Sequence, residues 1–216
     1  MVDGPLYRAH MLGLHAALFY VIPAALLLGV IAVLLSVIGL VRSGSKGMAV
    51  AGLVLGVIAA GMPLMSINTA RHSPIHDVST DRDNPPQFAA MLPLRVAAKA
   101  ANSTDYDAKT AELQKETYPD IVPLHLDVPP AQAFDRAAAA AKEMKWDVII
   151  TDPSQGRIEA TATTFWFGFK DDIVVRVTAD GSGSRVDVRS LSRIGNSDVG
   201  ANAKRVREYL AKTKAA

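Results

Sequence analysis

The 216-residue sequence contains no cysteine. That excludes a disulfide-stapled fold, thiol catalysis, thiolate metal sites and lipid attachment through an N-terminal cysteine. Charge is nearly absent from the first third. Residues 1–70 carry only Asp3, Arg8, Arg42 and Lys46, so residues 71–216 hold 20 basic and 20 acidic side chains. The overall charge of +2 therefore comes from the apolar piece, and the polar piece is neutral. A neutral polar piece has no basic excess to neutralise phosphates, so nucleic acid is not an expected partner. Also missing are GxSxG, a Walker loop, HExxH and a dinucleotide fingerprint. No cofactor is expected.

What is present begins with two long apolar runs. Residues 12–41 and 47–70 contain no Asp, Glu, Lys or Arg. A bilayer span takes roughly 20 mostly apolar residues, and a backbone in hydrocarbon must satisfy its own hydrogen bonds, so both runs read as transmembrane helices. The first run is too long for a signal-peptide core and has a second span behind it, which favours a retained hairpin. The polar turn Arg42-Ser-Gly-Ser-Lys46 makes the helices antiparallel neighbours. Pro23 and Pro63 are expected to disturb them. Gly52-Leu-Val-Leu-Gly56 is a GxxxG pattern, which permits close backbone approach; packing of Gly52 and Gly56 against the first helix is preferred to a dimer face. His15 in the apolar stretch reads as an interfacial or neutral histidine. Arg42 and Lys46 on one side face Arg8, Arg71 and Arg82 on the other, so the positive-inside rule leaves orientation open.

After an N-terminal tail (1–11) and the two spans comes an irregular arm, residues 71–120, rich in Pro, Asp and Asn. One helix is predicted within it, over 105–117, ended by Tyr118-Pro119. A compact domain is predicted over 121–216. Leu124–Val128 alternates as a strand. Pro130–Met144 is a helix with an alanine run. Trp146–Thr151, Arg157–Phe167, Ile173–Thr178 and Arg185–Arg193 are strands, with Asp180-Gly-Ser-Gly183 as a hairpin turn. The last helix carries Val199, Ala203, Val206 and Leu210 on one face, capped by Ser197 or Asp198. The order β-α-β-β-β-β-α predicts an α+β fold: an antiparallel sheet of about five strands with both helices on one face, preceded by the transmembrane hairpin.

Several segments together resemble a bacterial family, the domain of unknown function 1499. They are Ile75-His-Asp-Val-Ser-Thr-Asp-Arg-Asp-Asn-Pro-Pro-Gln-Phe88, Gln114 with Tyr118-Pro-Asp-Ile-Val-Pro123, and Glu159-Ala-Thr-Ala162. Gly168-Phe-Lys-Asp-Asp172, Val174-Val-Arg176 and Arg185-Val-Asp-Val-Arg-Ser190 follow, then Ser192-Arg193, Gly195, Ser197-Asp198 and Gly200-Ala-Asn-Ala-Lys-Arg205. The resemblance spans about residues 72–212 and implies an extracytoplasmic envelope domain. It brings no mechanism with it. The hairpin looks like an addition outside the shared domain.

The polar set in the C-terminal blocks is the candidate ligand- or partner-binding site. Alternation puts Arg185, Asp187, Arg189 and Arg193 on one face of the last strand, with Arg176 across from Asp187 or Arg189. Asp198, Asn202 and Arg205 share a face at the start of the last helix. Such a set can grip an anionic head group; the plainer reading is an ion-pair lattice on an exposed sheet face. Phe165, Phe167 and Phe169 are expected in the sheet–helix core. Trp166 points the other way, towards a ligand or the membrane interface. His72, His76, Asp77, Asp81 and Asp83 are the nearest approach to a metal cluster, but Pro74 breaks the helical spacing of the histidines; a polar loop is expected and no metal. These features predict a two-pass inner-membrane protein with a periplasmic domain. It would be a non-enzymatic binding or accessory subunit of a larger membrane complex. The alternatives are a carrier of a lipid-like ligand, and an envelope hydrolase using Asp187, Asp198 or His125.

Overall fold

A computed structural model describes residues 3–9, 11, 13–42, 46–72 and 74–216. The expected turn at 43–45 and the side chain of His72 lie outside the described residues. The chain divides into two compact units, Met1–His72 with Phe165–Gly168, and Ser73–Thr164 with Phe169–Ala216.

The first unit is helical. It opens with α1 (Asp3–Arg8) and a single turn, α2 (Leu14–Ala16), which widens into a π-helical stretch, Ala17–Val21. Two long helices follow, α3 (Ile22–Arg42) and α4 (Lys46–His72). Pro23 explains the π turn: it has no N–H to donate and its ring crowds the carbonyl four residues back, so Ile22 bonds to Ala17 O instead. The segments Phe19–Arg42 and Lys46–Ala70 are long and apolar enough to cross a membrane. They pack on each other through small residues. A Cβ on Gly56 would lie 2.9 Å from Gly29 O, and one on Gly52 would lie 2.5 Å from Ser36 Oγ. The GxxxG face thus meets α3 of the same chain. Leu27, Leu28, Leu34, Leu35 and Leu55 point outward, exposed.

The second unit is the α+β domain. Its elements are β1 (Asp77–Ser79), α5 (Leu92–Ala97), α6 (Ala108–Thr117), β2 (Leu124–Leu126), α7 (Pro130–Glu143), β3 (Asp147–Asp152), β4 (Arg157–Thr163), β5 (Lys170–Asp180), β6 (Gly183–Ser192) and α8 (Ala201–Ala215). The sheet has six antiparallel strands in the order β1-β6-β5-β4-β3, with β2 also on β6. β1 pairs with Arg189–Leu191 and β2 with Ser184–Val186, so the two short strands share one edge of β6.

The helices α7 and α8 cover one side of the sheet, as alternation requires. Ile158, Ala160, Ile173, Val175, Val186 and Val188 face Phe134, Ala137, Ala141, Val206 and Tyr209 in one buried cluster. The alanine stripe of α7 lets that helix lie close, and Tyr209 donates its hydroxyl to Ala137 O at 2.8 Å while stacking on Trp146.

The arm departs from expectation. Its expected helix is there as α6, but it also supplies β1 and α5, and it covers the other side of the sheet, where Phe88 and Met91 bury Val174 and Leu191. Asp77-Val-Ser79 is too short and polar to show periodicity. It becomes a strand because β6 offers a free edge, and Gln114 locks it: its Oε1 accepts from Ser79 N at 2.8 Å and its Nε2 donates to Ser79 O at 2.7 Å. A second departure is the end of β4. The strand stops at Thr163, not Phe167, because Thr164 and Phe169 close a loop: Thr164 N donates to Phe169 O, and Phe169 N to Thr164 Oγ1.

Candidate functional site

On β6 and β5 the cross-strand register sets Arg176 opposite Asp187 and Val174 opposite Arg189. The side chains expected on an exposed face are instead roofed by the arm. The cause is charge matching across the sequence: the arm brings Asp77 to Arg189, Asp81 to Arg176 and Arg185, and Arg95 to Asp172.

Three clusters result. Arg189 is fully buried and forks onto Asp77, Nε to Oδ1 at 3.0 Å and Nη2 to Oδ2 at 2.7 Å. Its remaining donors reach Thr104 O and Pro86 O, and its plane lies 5.2 Å from the Phe88 ring and 5.4 Å from the Tyr106 ring. Burial pushes the Asp77 carboxyl above its ordinary range, and the Arg189 hydrogen bonds and charge pull it back. Burial raises the Tyr106 hydroxyl as well.

In the second cluster, Arg176 and Arg185 both bind Asp187 and Asp81, at N···O distances of 2.7–3.0 Å. Thr80 donates its hydroxyl to Asp187 Oδ1. The two carboxylates are almost covered, whereas the arginines stay partly open to solvent.

In the third cluster, Asp172 receives Arg193 at 2.8 Å, Arg95 at 2.7 Å and the Thr161 hydroxyl at 2.9 Å. Beside it the buried Glu159 carboxylate accepts three successive backbone N–H groups, from Ala89, Ala90 and Met91, at 2.8–3.2 Å. The side chain thereby ties down the turn that leads into α5.

The sheet separates these clusters from the helix-side set. Asp171, one residue from Asp172, points the opposite way and binds Arg205 at 2.6 Å. Asn202 is buried, accepts from Ser190 Oγ and Arg205, and donates to His76 O and Ser192 Oγ. The N-cap of α8 is Gly200, not the expected Ser197 or Asp198; Asp198, two residues ahead, accepts from Gly200 N and Asn202 N at 2.8 Å each. Burial raises the Asp198 carboxyl, and those backbone bonds oppose the rise. Asn202 and Arg205 therefore do not join Arg176, Asp187, Arg189 and Arg193.

Each residue proposed for acid–base chemistry is engaged by a partner of its own. Asp187 is engaged by two arginines, Asp198 accepts Gly200 N and Asn202 N at the start of α8, and His125 Nδ1 meets Asp180 at an exposed surface. Among the described residues, no three His, Asp or Glu side chains are placed to hold a metal ion. The expected Phe core is likewise corrected. Phe165 is 86% exposed, and Phe165, Trp166 and Phe167 belong to the first unit. Asp77, Asp81, Arg95, Glu159 and Asp172 are the site residues that sequence patterning missed. Asp77 and Asp81 sit in the arm motif and were visible there, but without their partners.

A family model described as a protein of unknown function (DUF1499) matches residues 77–212. The chain belongs to the DUF1499 family. The matched range starts at Asp77, the partner of Arg189, so the DUF1499 domain includes the arm and its β-strand. Helices α1 to α4 lie before it. No curated protein matches the chain.

Proposed function

We propose that this DUF1499 protein is anchored in the bacterial inner membrane by α3 and α4 and acts as a non-enzymatic binding or accessory subunit of a membrane complex. The observation carrying the reading is the internal neutralisation of the domain's buried charges. Asp77, Asp171, Asp172 and Asp187 each bind an arginine, and Glu159 is held by backbone N–H groups. A general acid or base needs a group poised to exchange protons with a substrate, and these are committed to holding the fold.

The anchoring part rests on surface chemistry. Leu27, Leu28, Leu35 and Leu55 are each more than 60% exposed on two helices with mean hydropathies of 2.9 and 2.1. A contiguous apolar surface of that kind needs lipid or protein over it. The periplasmic side is proposed for the domain because the family resemblance points to envelope proteins.

A carrier of an amphiphile is disfavoured. The space between sheet and helices is taken by Phe134, Val186, Val206 and Tyr209. A surface groove of about 280 Å³ is open and mixed in lining, with Lys145, Lys204, Arg205 and Glu208 beside Met144 and Trp146, rather than the enclosed apolar cavity an acyl chain needs.

Alkaline carbonate extraction of membranes, followed by native purification in mild detergent, tests the reading. The chain should stay with the membrane fraction and co-purify with a partner in fixed stoichiometry. Release by carbonate, or a chain isolated alone from membranes with hydrolytic activity on lipid or cell-wall material, would overturn it.

A further inference from the structure

The aromatic residues of the first unit are unevenly placed. Neither α3 nor α4 contains a Phe, Tyr or Trp. All six aromatics of the unit are Tyr7, Phe19, Tyr20, Phe165, Trp166 and Phe167. Three come from the chain ahead of α3, and three from the Phe165–Gly168 loop, which is nearly 150 residues later in sequence.

Specific contacts hold these pieces together. Arg8 Nη1 donates to Phe165 O at 2.8 Å, and the Tyr7 and Phe167 rings lie 6.2 Å apart. Gly4 is required by this contact, since a Cβ there would fall 2.3 Å from the Trp166 indole. Yet Phe165 stays 86% exposed, and Phe19 and Tyr20 are 63% and 66% exposed. Leaving rings of this size in water forfeits the free energy that burying them would gain. Tyr and Trp rings, amphipathic and flanked by an arginine, match the headgroup level of a bilayer, where aromatic belts form at the ends of spans. Phe19 is also the first residue of the candidate span Phe19–Arg42.

We propose that the Phe165–Gly168 loop is a membrane-interface anchor: with Tyr7, Phe19 and Tyr20 it forms an aromatic girdle set among lipid headgroups at the starting end of α3. This rests on the reading of α3 and α4 as membrane spans. The occupant of the exposed ring surface is the bilayer itself, because the loop is carried by the unit whose helices present the lipid-like surface.

The absence of cysteine makes the test clean. The full chain is placed in nanodiscs of phosphatidylcholine and phosphatidylglycerol. Trp146→Phe leaves Trp166 as the sole tryptophan, read by quenching with lipids brominated near the headgroup or near the bilayer centre. Independently, Phe165→Cys and Leu35→Cys carry nitroxide labels whose exposure to oxygen and to a water-soluble nickel chelate reports depth. The expected result is loss of most Trp166 emission with the shallow bromines and little with the deep ones. The Phe165 label should be shallow and chelate-protected, and the Leu35 label deep. A deep Leu35 label with Trp166 unquenched and the Phe165 label open to the chelate would overturn the loop anchor and leave the spans standing. A Leu35 label open to the chelate would overturn both. If Trp146→Phe fails to fold, the Phe165 label decides alone.

Discussion

A buried guanidinium is costly unless its nitrogens find acceptors, and each of the three nitrogens of Arg189 does so, on Asp77, Thr104 O and Pro86 O. Removing one partner leaves the other charge stranded. Asp77→Asn is therefore expected to lower unfolding free energy by about 3–5 kcal/mol, read as a drop in the urea midpoint. Paired replacement of Asp77 and Arg189 by apolar residues should recover part of that loss. If Asp77→Asn proves neutral, the pair does not hold the arm. Val199 offers the opposite case. It is β-branched at φ 55°, in the left-handed region that disfavours such side chains. Val199→Asn should raise stability by about 1 kcal/mol, measured by the same titration. Two carboxylates set pH dependence of opposite sign. Burial raises Asp198, so its contribution is present at acid pH and lost as pH rises through its folded-state value. Hydrogen bonds from Thr110 lower Asp107, so its contribution is present above the ordinary carboxylate range and lost as pH falls through its folded-state value. Asp107→Asn keeps a capping side chain but removes the titration, and should flatten the acid limb of the stability–pH curve below about pH 4.

At the scale of elements, the legible parts were those with their own periodicity. β4 and β6 alternate, β3 and β5 are runs of β-branched residues, and α7 and α8 carry apolar stripes, so their existence and the placement of both helices on one side are legible in the sequence. β1 could not, because three residues have no period and the strand exists only through its pairing with β6. The end of β4 was misread for a related reason: Phe165-Trp166-Phe167 has high β propensity, but the Thr164–Phe169 bonds close the loop first. In the candidate site, alternation puts Arg176 across from Asp187 or Arg189, and the strand register decides for Asp187. It could not reveal Asp77, Arg95 or the N–H groups on Glu159, whose sequence distances of 68–112 residues leave no local trace. The same scale supplies a test of the helical hairpin. Gly56→Leu places a side chain against the Gly29 backbone and should cost about 1–3 kcal/mol, seen as a lower midpoint of thermal unfolding in detergent. An unchanged midpoint would mean that α3 and α4 do not depend on that contact.

For the whole molecule, the uneven distribution of charge is the organising fact. One unit has almost none, and exposes the leucines that the proposed membrane anchor would bury. The other has equal numbers of each sign and buries Asp77, Arg95, Asp171, Asp172, Asp187 and Arg189 in ion pairs that tie the arm and α8 to the sheet of the DUF1499 domain. The central claim is a retained two-pass anchor with the domain on the outer side. Single cysteines in this cysteine-free chain test it directly: Ser45→Cys between the two helices, and Ser182→Cys in the β5–β6 turn, probed in intact spheroplasts with a membrane-impermeant maleimide. The account predicts labelling of Ser182→Cys alone before permeabilisation and of both afterwards. Labelling of both from outside, or of Ser45→Cys alone, would contradict it.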